Sequence, residues 1–124
     1  MELNIRNVST DDRVAKVSVG GRLDSMTYQK LELALMPVIN SSVQTVILDL
    51  GELSFISSAG IRVLMTATNE LAKRNGNLLL TNLQPQIAKV LDIIKALPGI
   101  GVFQSVQEMD NYLAAMQKKV LEEN

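Results

Sequence analysis

The 124 residues include no cysteine, no histidine and no tryptophan. Without cysteine there is no disulfide, no thiolate metal site and no thiol nucleophile. Without histidine, the usual general base near neutral pH and the commonest metal ligand are both missing. Aromatic residues are scarce, with Phe 2 and Tyr 2, so the core must be aliphatic and no aromatic platform for stacking bases or sugars is expected. An excess of one charge is also lacking: 12 Lys and Arg against 13 Asp and Glu leave a formal net charge of −1. Direct nucleic-acid binding and an anionic membrane partner are therefore not expected. No apolar run approaches the roughly 18 residues that would span a bilayer. Met1 to Arg6 holds no basic segment followed by an apolar stretch, so a cytoplasmic protein without membrane insertion is the expectation.

What is present suffices for a core. Apolar residues make up 47% of the chain, and the length suits a single domain over residues 1–124. Leu3 and Ile5 alternate with Glu2, Asn4 and Arg6, the period of a half-exposed strand near a sheet edge. Ala15, Val17 and Val19 repeat that alternation after the polar turn Ser9 to Asp12, which predicts an antiparallel hairpin. Gly20-Gly21 is expected to break the second strand. Asp24 and Ser25 then offer N-caps for a helix with Tyr28, Leu31, Leu35 and Val38 inward, ending or kinking just before Pro37. Val43 to Leu50, with its apolar centre Val46-Ile47-Leu48, reads as a strand covered on both faces, and Leu78 to Leu80 as a second buried strand parallel to it.

Between those two strands lies the stretch Leu53 to Leu64, where a strand hands over to an amphipathic helix with Ser57-Ser58 at the joint. Ile61, Leu64, Met65, Thr68, Leu71 and Ala72 are expected on its inner face, and Asn75-Gly76 supplies a stop. A serine there caps the helix by accepting a backbone hydrogen bond, and its hydroxyl lies where an added phosphate would meet the positive end of the helix dipole. Pro85 opens a further helix carrying Ile87, Val90, Leu91 and Ile94, which Leu97-Pro98-Gly99 ends. Ile100 to Phe103 reads as a short strand. Ser105 to Glu108 forms a capping box ahead of a last helix from about Val106 to about Val120, with Met109, Leu113 and Met116 facing the core.

Other chemistries have weaker support. Asp49 ends a buried strand as an aspartyl phosphoacceptor would, yet the first strand carries no acidic pair for Mg²⁺ and Leu78 to Leu80 holds no lysine for the phosphate. The glycines do not space as a phosphate-binding loop. No metal site and no cofactor are expected, and no paired-carboxylate constellation suggests an enzyme.

Three segments together carry a resemblance: Gly21-Arg22-Leu23-Asp24, then Val46-Ile47-Leu48-Asp49-Leu50, then Phe55-Ile56-Ser57-Ser58-Ala59-Gly60-Ile61-Arg62-Val63-Leu64. In this order the chain resembles the anti-sigma factor antagonist family, the bacterial members of the STAS domain. The resemblance implies an α/β fold, a mixed four- to five-stranded sheet with about four helices mainly on one face, and no catalytic activity. It implies a partner-switching protein whose unphosphorylated form binds an anti-sigma factor that is also a serine kinase, freeing a sigma factor. Phosphorylation from ATP breaks that complex, and a PP2C-type phosphatase restores it. Carried over residue by residue, the phosphoacceptor falls on Ser58. The aspartate near it falls on Asp24, the close-packing glycine on Gly60, and the partner-facing set is Asp24, Ser57, Ser58, Ala59, Gly60 and Arg62. Ser57 stands where the family often has Asp, and Ala59 where it often has a second Ser, which makes Ser57 a rival acceptor. The alternative reading is a constitutive structural STAS subunit of a larger assembly, such as a transporter-associated complex, without a phosphoswitch.

Overall fold

Alternating burial shapes the start of the chain. In the computed structural model, which describes residues 3–10, 13–96 and 106–123, β1 (Leu3–Thr10) pairs antiparallel with β2 (Val14–Leu23), from Leu3 opposite Gly21 to Thr10 opposite Ala15. This is the predicted hairpin. β2, however, does not stop at the glycines. Its first half lies parallel to β3 (Thr45–Asp49), and its last residues lie parallel to β4 (Leu53–Ile56). Gly21 takes a φ of 96° and donates its N–H to the Glu52 carbonyl at 2.9 Å, and the register shifts between Gly21 and Arg22. A positive φ of this kind suits glycine because there is no Cβ to clash. The glycines therefore bend the strand from one neighbour to the next instead of ending it.

The strand order is β1-β2-β3-β5, where β5 is Asn77–Thr81, with β4 pairing β2 off that path. Around this mixed five-stranded sheet stand four helices among the described residues: α1 (Tyr28–Ile39), α2 (Ser58–Ala72), α3 (Pro85–Ala96) and α4 (Val106–Glu123). Ala15, Val17, Val19, Val46 and Leu48 are buried, while Lys16, Ser18, Thr45, Ile47 and Asp49 between them are only half-buried. Val43 to Leu50 is therefore not a strand covered on both faces: Val46 and Leu48 enter the core and Ile47 does not. Nor is Leu78 to Leu80 a buried strand. Among the described residues β5 has β3 as its one neighbour, and Leu79 is 45% exposed. An apolar run fits a one-sided strand with an uncharged outer face as well as a fully covered one.

The helices follow the expected positions with two shifts. Leu31 and Leu35 of α1 are buried and Tyr28 and Val38 half-buried, yet the helix runs through Pro37 to Ile39. Pro37 is exposed and lies near the end of the helix, where its missing N–H costs one hydrogen bond; the Asn40 N–H still reaches the Met36 carbonyl at 2.9 Å. In α2 the buried residues are Ser58, Gly60, Ile61, Val63, Leu64, Ala67 and Leu71. Met65, Thr68 and Ala72, expected inside, are exposed. The buried arc is turned because α2 also packs against α1, with Val63 and Ala67 facing Leu35 and Met36 across a small apolar groove. Past its end, Asn75 adopts the left-handed conformation at φ 62° and the Gly76 N–H returns to the Leu71 carbonyl at 2.8 Å, the predicted stop.

In α3, Ile87 and Val90 are buried; in α4, Leu113 is buried and Met116 half-buried, and α4 runs beyond Val120 to Glu123. The expected strand at Ile100 to Phe103, the Leu97-Pro98-Gly99 stop, Ser105 of the capping box and the side chains of Ile94 and Met109 lie outside the described residues. Among the described residues no helix is long and apolar enough to cross a membrane.

Asp49 stabilises the turn that follows β3. Its Oδ1 accepts the Gly51 N–H at 3.0 Å and the Asn82 amide at 3.1 Å. These bonds, the Gly51 N–H first, hold its pKa below the ordinary carboxylate value, with Lys16 and Arg6 assisting. A depressed folded-state pKa adds stability that is complete above the unfolded value of about 3.9 and is lost as pH falls through the folded value. Asp49→Asn is accordingly expected to lower the urea midpoint at pH 7, and the gap from the parent protein to close as the pH falls below about 4.

Candidate functional site

The serine joint is assembled by three segments distant in sequence. β4 ends at Ile56, and Ser57 continues in extended conformation (φ −106°, ψ 179°), donating its N–H to the Leu23 carbonyl at 2.9 Å. Ser57 is thus the N-cap residue of α2, and its carbonyl accepts the Ile61 N–H at 3.0 Å. The expected serine cap is nevertheless not made: Ser57 Oγ is buried and has no hydrogen-bond partner among the described residues. An unpaired buried hydroxyl is costly and uncommon.

The cap comes instead from α4. Asp110 Oδ1 accepts the Ser58 N–H at 2.9 Å and the Ser58 hydroxyl at 2.5 Å. A carboxylate on the first amide of a helix satisfies an otherwise unpaired donor and meets the positive end of the dipole. Because its acceptor is charged, this is also a stronger bond than a serine cap would be. Ser58 is 2% exposed and Ser57 5% exposed beneath it.

Gln117, a little further along α4, holds the same joint. Its Oε1 accepts the Ile56 N–H at 2.9 Å and its Nε2 donates to the Ile56 carbonyl at 2.8 Å, so a side-chain amide pairs the edge of β4 as a neighbouring strand would. The cost of leaving that edge unpaired in a buried setting explains why a polar residue 2% exposed is tolerated here. Neither Asp110 nor Gln117 stands out in the sequence, since each is one more polar residue on an amphipathic helix.

Gly60 lies where α2 meets the ends of β2 and β4. A Cβ on it would come within 2.6 Å of Leu23 Cγ and 2.9 Å of Ile56 Cγ1, so the predicted close-packing glycine is one. Asp24 belongs to the neighbouring turn. It is not the N-cap of α1, which is Thr27 and makes no side-chain cap. Asp24 Oδ1 accepts the Met26 N–H at 2.9 Å, its carbonyl accepts the Tyr28 N–H at 2.9 Å, and its Oδ2 lies 3.6 Å from Arg22 Nε. Arg22 stacks over the Phe55 ring at 3.9 Å from the centroid. The turn therefore begins at Asp24, four residues before the first residue of the helix, which is why the cap expected from sequence is displaced. Since Leu23 pairs with Ile56, the Asp24 turn and the serine joint are side by side at one end of the sheet. Ala59 is half-buried and Arg62 exposed on the same helix.

A strand end, a buried serine pair and a helix whose first turn needs glycine make up the joint. The family model for the STAS domain matches residues 6–109. The chain belongs to the STAS domain family. Among its relatives, an anti-sigma-B factor antagonist of Staphylococcus epidermidis is 30% identical over 93 residues, covering 75% of this chain and 85% of that protein. A putative anti-sigma factor antagonist of Bordetella bronchiseptica, BtrV, is 36% identical over 73 residues, covering 59% of this chain and 63% of the relative. Among solved structures, the STAS chain is similar to the anti-sigma factor antagonist SpoIIAA of Bacillus in its unphosphorylated form, with a TM-score of 0.67 at 22% identity over 74% of this chain and 81% of that one. Against the phosphorylated form of SpoIIAA the TM-score is 0.62, again at 22% identity, over 73% and 82% of the two chains. At this identity the likeness establishes the fold, the mixed sheet with four helices expected from the sequence. The anti-sigma factor antagonist resemblance read from residues 21–64 agrees with the named relatives.

Proposed function

We propose that this STAS chain is an anti-sigma factor antagonist, a single-domain partner-switching protein without turnover of its own. In its unmodified state it binds an anti-sigma factor that is also a serine kinase, and so frees a sigma factor. The kinase then transfers the γ-phosphate of ATP to Ser58, the complex dissociates, and a PP2C-type phosphatase resets the protein. The action is cytoplasmic and involves no direct contact with nucleic acid.

One observation carries the choice of site: Ser58 is the first residue of α2, and its N–H and hydroxyl already bind an anion, the Asp110 carboxylate. A phosphate on Ser58 would find the same helix end favourable, so modification suits the fold while changing the surface offered to a partner. The names of the relatives support the partner class, and SpoIIAA is a structure solved in both phosphorylated and unphosphorylated forms. The partner surface is centred on this joint: Asp24, Ala59 and Arg62 reach solvent around it, Ser57, Ser58 and Gly60 lie buried at it, and Met26 is exposed at its margin.

Incubation with the anti-sigma kinase and ATP tests the site. Ser57→Ala protein is expected to take up one phosphate, located on Ser58 by peptide mass mapping, and Ser58→Ala protein to take up none. Phosphate on Ser57 in the parent protein would move the acceptor by one residue. Failure of both serines to be modified would favour the constitutive subunit.

A further inference from the structure

Ser58 is buried in the unmodified protein, and the partner of its N–H and hydroxyl is an anion. Asp110 Oδ1 accepts both the N–H and the hydroxyl of Ser58, and it reaches them from α4, 52 residues further along the chain. A phosphate oxygen at the start of α2 would seek the same amide. A phosphoserine there would thus place about −1.5 to −2 charges against a carboxylate now 2.5 Å from Ser58 Oγ. Both groups cannot hold one helix end at that distance without a counter-ion, and among the described residues no cation pairs with Asp110, which takes both the N–H and the hydroxyl of Ser58.

We infer that Asp110 is a phosphate mimic supplied by the chain itself, and that the first half of α4 is a latch which Ser58 phosphorylation displaces. The inference rests on the reading of Ser58 as the acceptor. In the transfer, Ser58 Oγ attacks the γ-phosphorus of ATP, the β–γ bridging P–O bond breaks, ADP departs with the electron pair, and the serine proton passes to a general base. Before that step Asp110 must withdraw, since a serine 2% exposed is closed to a kinase. After it, the phosphate occupies the α2 terminus and Asp110 stays out. Ser57 Oγ, buried beside this seat and without a partner, is a donor ready for the larger anion. Two contacts confine the movement to the start of α4: Gln117 clamps both backbone groups of Ile56, and Leu113 is fully buried. The switch would therefore be read on two surfaces, the serine joint itself and the flank of α4 that leaves it.

Hydrogen exchange on the purified chain, followed by mass spectrometry or NMR, tests the latch without any kinase. Ser58→Asp is expected to speed exchange of the amides of residues 107–116 by about 10-fold or more, while amides of β2 and β3 keep the protection of the parent protein. Ser58→Ala keeps the amide bond to Asp110 and adds no charge, so its α4 protection should stay within about 3-fold of the parent. In the Ser58→Asp, Asp110→Asn double variant the repulsion is gone and an amide oxygen still caps Ser58's position, so protection should return to within about 3-fold. Unchanged α4 exchange in Ser58→Asp would overturn the latch, as would Ser58→Ala loosening α4 equally or no recovery in the double variant. Binding of the same Ser58→Asp protein to the anti-sigma kinase reports separately on the switch. Lost binding with a closed α4 removes the latch alone, and an open α4 with retained binding removes the switch alone.

Discussion

Ser58→Asp is expected to weaken the complex with the anti-sigma kinase by about 100-fold or more, equivalent to about 2.7 kcal/mol. On the proposed reading the change places a carboxylate at the partner-facing joint, where an unpaired or like-signed charge costs several kcal/mol. Stability should respond far less. The new carboxylate is at the favourable end of α2, while the bond it disturbs, Ser58 to Asp110, joins α4 and not the sheet. The thermal midpoint is expected within about 5 °C of the parent protein, a shift corresponding to about 1 kcal/mol. Titration calorimetry for binding and a calorimetric melt for stability separate the two effects. A variant that bound less tightly only because it had unfolded would show both changes together.

Gly60→Ala should do the opposite, damaging the fold first. The added methyl group would stand 2.6 Å from Leu23 Cγ and 2.9 Å from both Leu23 Cδ2 and Ile56 Cγ1, all in side chains with no exposed surface. Neither neighbour has room to withdraw, because Leu23 and Ile56 are paired through their backbones on β2 and β4. Overpacking of this kind costs about 1–3 kcal/mol, and the present contacts fall at the upper end. The expected readout is a fall of about 3 kcal/mol in unfolding free energy from urea titration, with weaker kinase binding following from the displaced start of α2. An alanine tolerated with less than about 0.5 kcal/mol would mean that α2 does not depend on this close approach.

Much of this architecture was legible because it is periodic. Leu3 and Ile5, then Ala15, Val17 and Val19, announce a hairpin by alternation, and Ile87 and Val90 mark α3 by helical spacing. Local chemistry also gave the stop at Asn75-Gly76, where Asn75 takes the left-handed conformation. The errors arose where a second element decides the outcome. Met65, Thr68 and Ala72 satisfy the spacing of an inner face, but α1 turns that face toward Val63 and Ala67. Val46-Ile47-Leu48 reads as doubly covered, although Val46 and Leu48 are buried and Ile47, on the other face, is only half-buried.

The site shows the same division. Ser58 and Gly60 are recognisable from the motif and stand where α2 begins and where it packs. Asp110 and Gln117 cannot be read from it, because the cap they supply is tertiary and any polar residue of α4 would look alike in sequence. Ser57 illustrates the consequence: cap preference assigns its hydroxyl a backbone hydrogen bond, yet that hydroxyl has no partner among the described residues, and a carboxylate from α4 takes the Ser58 N–H.

The measurement closest to the central proposal is calorimetric titration of the anti-sigma kinase with this protein before enzymatic phosphorylation, after it, and after treatment with a PP2C-type phosphatase, with the modified residue mapped by mass. The account predicts tight binding, then loss of at least about 100-fold in affinity with a single phosphate on Ser58, then recovery on dephosphorylation. Equal affinity for the unmodified and the Ser58-phosphorylated protein would contradict it.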